Sequence, residues 1–237
     1  MKSDSMKTRK TFLWLMLAVL LFFGNCTTYS TLNFDGYNFQ NNDDIEIKNL
    51  GETWANPYFM LGDAEIDFQL YTGYRIIKGN RYRRGGNYQL SLHVKLAPHQ
   101  FIKTVTLNKV TIQAGDNVYD MIKGIYKISL HFIGKDEKRA GIYKRLSEKE
   151  VEIVSSNGII DIEAYKEKFD DLTDTKLRYV NFEFVPAPID ETRYKEIFVR
   201  FDITLEYTTG ETVRQDKEFY GLYEIRRKRI YRPIFTV

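Results

Sequence analysis

The sequence predicts an all-β protein, an antiparallel β-sandwich of about 9–11 strands with one short helix near residues 161–172. The main observation is the alternation of apolar and polar side chains in three segments, residues 64–71, 87–97 and 196–207. Such alternation places one face of a strand on a core and the other face in water. Helical periodicity is scarce by comparison, so strands dominate the prediction.

The chain begins with the layout of a secretory signal peptide. Residues 12–23 form an unbroken apolar run, preceded by basic residues at positions 7–10 and followed by the small residue Gly24. As a helix this run is about 18 Å long, well short of the roughly 30 Å of a bilayer core. We therefore predict that residues 1–25 are a signal peptide and not a membrane-spanning helix.

The only cysteine of the chain, Cys26, follows this run directly. In this arrangement residues 1–26 resemble the signal sequences of bacterial lipoproteins, with a relaxed lipobox in which Phe23 and Asn25 replace the usual residues. The resemblance implies that Cys26 is lipidated and becomes the first residue of a mature envelope protein. Thr27 is not the aspartate that some bacteria use to retain lipoproteins in the inner membrane, which favours the outer membrane. An ordinary signal peptide with another cleavage site and an uncleaved helix are the alternatives.

Removal of the signal peptide changes the charge of the protein. The signal segment holds four basic residues and one acidic residue, so the rest of the chain has 31 residues of each sign. A neutral mature chain provides no general electrostatic case for binding nucleic acid. Because no cysteine pair is present, the mature protein depends on core burial for its stability.

The remaining chain is divided into a tether and a domain. Residues 26–40 are polar with scattered aromatic residues, and we predict that they form a lipidated tether. Residues 41–237 are predicted to form a single β-sandwich domain, because a chain of this length can bury a sizeable core.

Further strands are predicted between turn signals, at residues 45–49, 101–113, 124–133, 151–154, 177–185 and 213–225. The alternation changes phase near Asn108 and Lys109, which predicts a β-bulge there. Residues 208–211 lie between two alternating runs and are predicted to form a hairpin turn. The charged residues 135–150 are predicted to form an exposed loop.

The helix near residues 161–172 is predicted from the spacing of its apolar residues. Ile162, Tyr165 and Phe169 recur at intervals of three and four residues, which places them on one face of a helix. Asp161 precedes them and is a suitable N-cap.

Catalytic motifs are sparse. No serine lies in a G-x-S-x-G or S-x-x-K motif, and the sequence has neither a P-loop nor a dinucleotide-binding fingerprint. His93 and His131 both fall on polar faces of predicted strands, but no spacing motif supplies a third zinc ligand. We therefore predict no enzymatic activity, no cofactor and no metal site, with an envelope hydrolase as a less favoured alternative.

Two stretches combine basic residues with tyrosines and form the candidate binding surface. They are either solvated charge or a contact surface for anionic headgroups, a protein or a glycan. Their residues are Tyr74, Arg81, Tyr82, Arg83, Arg84, Tyr223, Arg226, Arg227, Arg229 and Tyr231. The sequence thus predicts a lipid-anchored module for binding or a structural role, with a protein or glycan partner. Because long alternating strands also build transmembrane β-barrels, a pore component is the main alternative.

Overall fold

The structure, a computed structural model, describes residues 27–39, 46–48, 56–77, 80–97, 101–134 and 141–233. Two units are distinguished along the chain. One unit comprises residues 36–224 and holds the buried core, and the other comprises the sequence before residue 36 and after residue 224.

Fourteen strands are found in the described part of the chain. Numbered in order, they are β1 (Thr27–Phe39), β2 (Glu46–Lys48), β3 (Asn56–Leu61), β4 (Ala64–Ile77), β5 (Asn80–Lys95), β6 (Ile102–Ala114), β7 (Asn117–Asp120), β8 (Ile125–Gly134), β9 (Ile142–Arg145), β10 (Ile159–Asp161), β11 (Thr175–Phe184), β12 (Ala187–Pro188), β13 (Glu196–Tyr207) and β14 (Thr212–Pro233). The number exceeds the predicted 9–11 mainly because β7, β9, β10 and β12 have only two to four residues each. Segments this short show too few alternations to be recognised in a sequence.

The strands form two antiparallel sheets. The first sheet has the order β1-β14-β13-β6-β10, with β7 also paired to β6. The second sheet has the order β2-β3-β4-β5-β11-β8-β9, with β12 also paired to β5. The predicted hairpin turn at residues 208–211 joins β13 to β14, whose pairing runs from Glu196 opposite Leu222 to Glu206 opposite Thr212.

The two sheets pack against each other through phenylalanine side chains. Phe68 on β4 lies with its ring centroid 4.8 Å from that of Phe201 on β13 and 4.8 Å from that of Phe219 on β14. Phe39 on β1 and Phe59 on β3 extend this cluster, at 4.9 Å from Phe68 and 5.7 Å from Phe219. All five side chains are buried. The predicted antiparallel β-sandwich is therefore confirmed.

The predicted bulge near Asn108 is also present. Lys109 pairs with Asp202 and Leu107 pairs with Ile203, so Asn108 has no opposite residue on β13. Its amide Nδ2 donates hydrogen bonds to Asp202 Oδ1 at 3.1 Å and to Thr204 Oγ1 at 2.8 Å. After this extra residue, the apolar side chains of β6 again face the core. The Asn108 side chain itself forms hydrogen bonds with β13.

The predicted strand at residues 151–154 is wrong, because these residues belong to helix α1 (Glu148–Asn157). Ser147 and Glu150 form a capping box, in which the Ser147 backbone N–H donates to Glu150 Oε2 at 2.9 Å. Val151 and Val154 lie three residues apart and are both buried, whereas Ile153 is 52% exposed. Over four residues, the helical and strand patterns are too similar to distinguish.

The prediction that residues 135–150 form a loop is also wrong, since β9 and the start of α1 lie within this range.

The second helix, α2 (Ile162–Lys166), falls where the sequence predicts one but is shorter. Asp161 is its N-cap, as predicted, and its Oδ1 accepts a hydrogen bond from the Ala164 backbone N–H at 2.9 Å. A separate 3₁₀ turn at Asp170–Leu172 completes the segment. None of the helices in the described ranges is long and apolar enough to cross a membrane.

The predicted tether differs from the structure as well. Thr27–Phe39 forms β1, and the side chains of Tyr37 and Phe39 are buried in the core. The Tyr37 hydroxyl donates a hydrogen bond to the Tyr194 carbonyl oxygen at 2.7 Å. Two aromatic residues at a spacing of two can thus complete a core even within a polar stretch.

Replacing Phe201 with alanine tests the contact between the sheets. We expect a loss of about 3–5 kcal/mol in the free energy of unfolding, because the change leaves a cavity beneath Phe68 and Phe219. Urea unfolding of the full chain followed by circular dichroism measures this loss. Phe198→Ala is the matched control, since Phe198 lies on the same strand but is 36% exposed. Equal losses for the two variants would contradict this account of the core.

A pair of glycines tests the junction between α1 and β6. Gly158 (φ 74°) ends α1, and a Cβ at this position would lie 2.3 Å from the Leu107 carbonyl oxygen. Gly210 (φ 86°) has a similar backbone conformation, but a Cβ there would meet nothing within 4 Å. We expect Gly210→Ala to reduce the free energy of unfolding by about 1–2 kcal/mol, and Gly158→Ala by about 3 kcal/mol or more. Urea unfolding measures both, and similar losses would exclude the steric explanation.

Candidate functional site

The outward surface of the second sheet carries a connected set of polar and aromatic side chains. They alternate with the buried residues of β4, β5, β8 and β11, such as Phe68, Leu92 and Phe182, so the sheet itself presents them outward. We call this surface the polar face. Its residues are Glu65, Asp67, Gln89, Ser91, His93, Lys95, Tyr126, Lys127, His131, Tyr143, Tyr179, Asn181 and Glu183.

Asp67 lies at the centre of one group on this face and is only 3% exposed. His93 Nδ1 lies 2.6 Å from Asp67 Oδ1, and the Lys95 ammonium group contacts the other carboxylate oxygen. Lys95 Nζ also lies 3.2 Å from Glu65 Oε1. Burial opposes ionisation of Asp67, but hydrogen bonds and charge from His93 and Lys95 outweigh burial and hold the pKa of this carboxyl below its usual value. Because an ionised carboxylate only accepts, His93 Nδ1 donates the hydrogen bond.

Ser91 continues the network from His93 towards β11. Its hydroxyl donates a hydrogen bond to Asn181 Oδ1 at 3.0 Å, and its oxygen lies 3.3 Å from His93 Nε2. The order of carboxylate, imidazole and hydroxyl is the one used for an activated serine nucleophile. Ser91 is, however, 5% exposed, and β5 is paired with β4 on one side and with β11 on the other. Its backbone lies in the middle of a sheet, where the amide groups that an oxyanion hole requires are used by strand pairing.

Glu183 organises the second group. It accepts hydrogen bonds from Lys127 Nζ at 2.5 Å and from the Tyr126 hydroxyl at 2.8 Å, and Gln89 Nε2 donates to the Tyr126 oxygen at 2.5 Å. Burial and the contact with Glu183 raise the pKa of Tyr126 to about 12. Burial opposes ionisation of Glu183, but Lys127 and Tyr126 together hold its pKa below the usual value. The carboxylate is thus charged and paired, while the phenol is neutral.

Three aromatic rings form the third group, beside the edge strand β9. The ring centroid of His131 lies 4.2 Å from that of Tyr143, with 24° between the planes, and 4.8 Å from that of Tyr179. Tyr143 is 67% exposed. Burial and the charge of Arg178 lower the pKa of His131, and burial together with a hydrogen bond to Tyr143 raises the pKa of Tyr179 to about 12. The uncharged forms of His131 and Tyr179 are favoured, so these two rings form with Tyr143 a stacked aromatic surface.

The two strand histidines are not brought together. His93 pairs with Asn181, and His131 pairs with Tyr179, so β11 lies between them. Among the described residues, no group of three or more histidine, cysteine, aspartate or glutamate side chains is placed to hold a metal ion. Ser91 and His93 share one strand at a spacing of two, which the sequence shows, but their partners Asp67 and Asn181 come from other strands. Only the sheet register reveals the network.

The candidate binding surface predicted from sequence is largely outside the described side chains. Tyr223, predicted to be exposed, instead packs its ring 5.6 Å from Tyr37, with Lys195 Nζ 4.7 Å from the ring centroid. It therefore edges the core, as an amphipathic ring often does. The backbone register places Tyr74 opposite Arg83 and Ile76 opposite Arg81. The side chains of Tyr74, Arg81, Tyr82, Arg83, Arg84, Arg226, Arg227, Arg229 and Tyr231 lie outside the described ones, as does Cys26.

Two open grooves lie apart from the polar face. One, of about 300 Å³, is lined by residues of the β3–β4 and β13–β14 turns, such as Asp63 and Glu211, and by Phe101, which precedes β6. The other, of about 230 Å³, lies between α1, β10 and α2 and is lined by Ile153 and Tyr165 among others. Neither groove contains residues of the network around Asp67 and Glu183.

No protein-family model, curated protein or solved structure matches this chain. We therefore infer function from the chemistry of the polar face and from the sequence that precedes the sandwich.

Protonation of His131 provides a test of the stacked aromatic group. Since the folded-state pKa is lowered, the contribution of His131 to stability is present above the unfolded value of about 6.5 and is lost as the pH falls through the folded-state pKa. We expect the free energy of unfolding of the wild type to fall more steeply between pH 8 and pH 5 than that of His131→Phe. Urea titrations at several pH values measure both curves. Parallel curves would show that the fold does not disfavour protonated His131.

Proposed function

We propose that the protein is a lipid-anchored component of the bacterial cell envelope whose β-sandwich acts as a noncatalytic binding module. The observation that carries the binding role is the polar face, on which hydrogen bonds join side chains of β4, β5, β11 and β8. Side chains held in place before a ligand arrives lose little conformational entropy on binding. This supports ligand recognition on the polar face.

Exposure and connectivity favour binding over catalysis. Tyr143 and Tyr126 are 67% and 43% exposed and lie on the neighbouring strands β9 and β8, whereas Ser91 is buried. Tyrosine supplies a rigid amphipathic contact surface and is enriched where proteins bind partners. The network therefore supports a recognition surface whose internal polar groups position exposed aromatic rings.

The membrane anchor rests on the sequence before the sandwich. An apolar run too short to span a bilayer ends at Phe23, three residues before Cys26, and the rest of the chain has no second cysteine with which a disulfide could form. A lipid on Cys26 would be attached directly before β1, which begins at Thr27. The residue at position 27 supports the outer membrane as the location. The proposed partners are thus the membrane, through the lipid, and an envelope protein or glycan, through the polar face.

Lipidation of Cys26 is tested by mass spectrometry of the N-terminus after expression in a bacterium with a lipoprotein pathway. We expect a mature chain that starts at Cys26 and carries acyl groups, and we expect this chain in the membrane fraction. Cys26→Ser should lose the acyl mass, because serine lacks the thiol that forms the thioether. Thr27→Ser is the matched control and should retain both the lipid and the membrane fraction. An unmodified Cys26 in the wild-type protein would refute the anchor.

A further inference from the structure

We infer that the groove between α1, β10 and α2 binds a basic segment of a partner protein, whose large apolar side chain inserts beside Ile153 and Ile159. We call this site the acidic groove. It lies apart from the polar face, so its partner is a second one. Three observations carry the inference: exposed isoleucines that line the groove, an excess of acidic side chains around it, and a strand edge that is closed to strand addition.

The acidic groove is lined by both buried and exposed apolar side chains. Val154, Ile160 and Tyr165 form its floor and are at most 5% exposed. Ile153 on α1 and Ile159 on β10 also line it but are 52% and 42% exposed. They are the two exposed isoleucines among the side chains that the structure describes. One exposed isoleucine is ordinary, whereas two beside the same groove of about 230 Å³ mark a receptor for an apolar side chain.

The stability of α1 does not account for its exposed isoleucine. Val151 and Val154 bury the apolar face of this helix, and the positions exposed around Ile153 are otherwise polar. Isoleucine also has a lower helix propensity than the glutamate and lysine that occupy other exposed positions of α1. The side chain therefore contributes little to folding, and a contact with another protein gives it a role.

Acidic side chains outnumber basic ones around the groove. Residues 142–174, which include β9, α1, β10 and α2, have nine acidic and five basic side chains and thus a net charge of −4. The five basic residues are Lys144, Arg145, Lys149, Lys166 and Lys168. Lys168 and Glu150 both line the groove and are paired with each other at 2.7 Å, so this lysine is not available to an anionic ligand.

Neighbouring elements do not remove the acidic excess. Lys103 on β6 is close enough to interact with Asp161, but it is paired with Glu206 at 2.7 Å. Lys123, in the turn before β8, is balanced by Asp120 three residues earlier. The groove therefore attracts a cationic partner and repels nucleic acid, acidic peptides and anionic membrane surfaces.

The partner is recognised through side chains and not by strand addition. β10 lies at one end of the first sheet, and a peptide that adds a strand uses the outward backbone groups of such an edge. The Ile159 backbone N–H, however, already donates a hydrogen bond to Asn157 Oδ1 at 2.8 Å. β10 has only three residues, and α2 begins directly after it. What remains is an apolar site with carboxylates around it, which fits an apolar residue flanked by lysine or arginine.

Peptide selection on the immobilised full-length protein, in a nonionic detergent, tests this inference. The probe is a phage-displayed library of random short peptides, and we expect enriched peptides to share one large apolar residue with lysine or arginine on both sides. A synthetic peptide of that consensus is then titrated by calorimetry. Its affinity should fall as salt is added, because the carboxylates are exposed to solvent. A counterpart with glutamate in place of each basic residue should not bind.

Ile153→Gln and Ile159→Thr should each weaken binding of the consensus peptide about tenfold, which corresponds to about 1.4 kcal/mol. Both substitutions remove apolar surface from the groove at exposed positions. Val118→Gln is the matched control, since Val118 is 60% exposed on β7 and lies outside the groove, and it should leave binding unchanged. Unfolding transitions of all variants establish that the fold is intact.

The double variant Glu152→Gln and Glu163→Gln tests the charge. It should weaken binding several-fold and reduce the dependence of affinity on salt, because it removes two negative charges beside the groove. Glu150 and Asp161 are left unchanged, since they cap the two helices. Glu218→Gln, on β14, removes an exposed carboxylate elsewhere and should have no effect.

Three results would overturn the inference: no enriched peptide, enriched peptides without basic residues, or equal binding of the consensus peptide by the wild type and the isoleucine variants. Sedimentation of the full-length protein provides a further test. A dimer that Ile153→Gln dissociates would assign the groove to a second copy of the chain and would also overturn the basic partner. None of these results bears on lipidation of Cys26 or on binding by the polar face.

Discussion

The packing of Phe68 against Phe201 and Phe219 is the contact on which the remainder of this structure depends. Phe68 belongs to the second sheet, and the other two rings belong to the first sheet. The chain has a single cysteine and forms no disulfide within itself, so apolar burial must hold the sheets together. The buried ring of Phe39 brings the end of β1 into the same cluster.

Burial of this cluster also determines which residues face outward. Side chains alternate along a strand, so inward Phe68 requires outward Asp67, and inward Leu92 requires outward Ser91 and His93. A slip of one residue in register would bury these polar groups, which makes the register strongly specified. The hydrogen bonds from Asp67 to Asn181 are therefore a consequence of the same constraint that forms the core.

Several charges on the two sheets are paired within the protein. On the first sheet Arg214 binds Asp202 and Arg200 binds Asp216, while on the second sheet Lys95 and Lys127 bind carboxylates. Exposed ion pairs of this kind contribute little to stability. Arg145 and Arg178 add positive charge beside the polar face, where it acts on Glu183 and His131.

The sequence by itself determined the fold class, because alternation over residues 64–71, 87–97 and 196–207 is long enough to exclude a helix. It also determined local features with a local cause, namely the bulge at Asn108, the cap at Asp161 and the turn before β14. It did not distinguish helix from strand at Val151–Val154, since four residues fit both periods and the capping box at Ser147 decided the outcome.

Only the tertiary structure decided that Asp67, His93 and Asn181 meet, because three strands contribute them and no spacing along the chain encodes their distance. The tertiary structure also decided how far Tyr223 is exposed. Its ring packs against Tyr37, which lies near the other end of the chain.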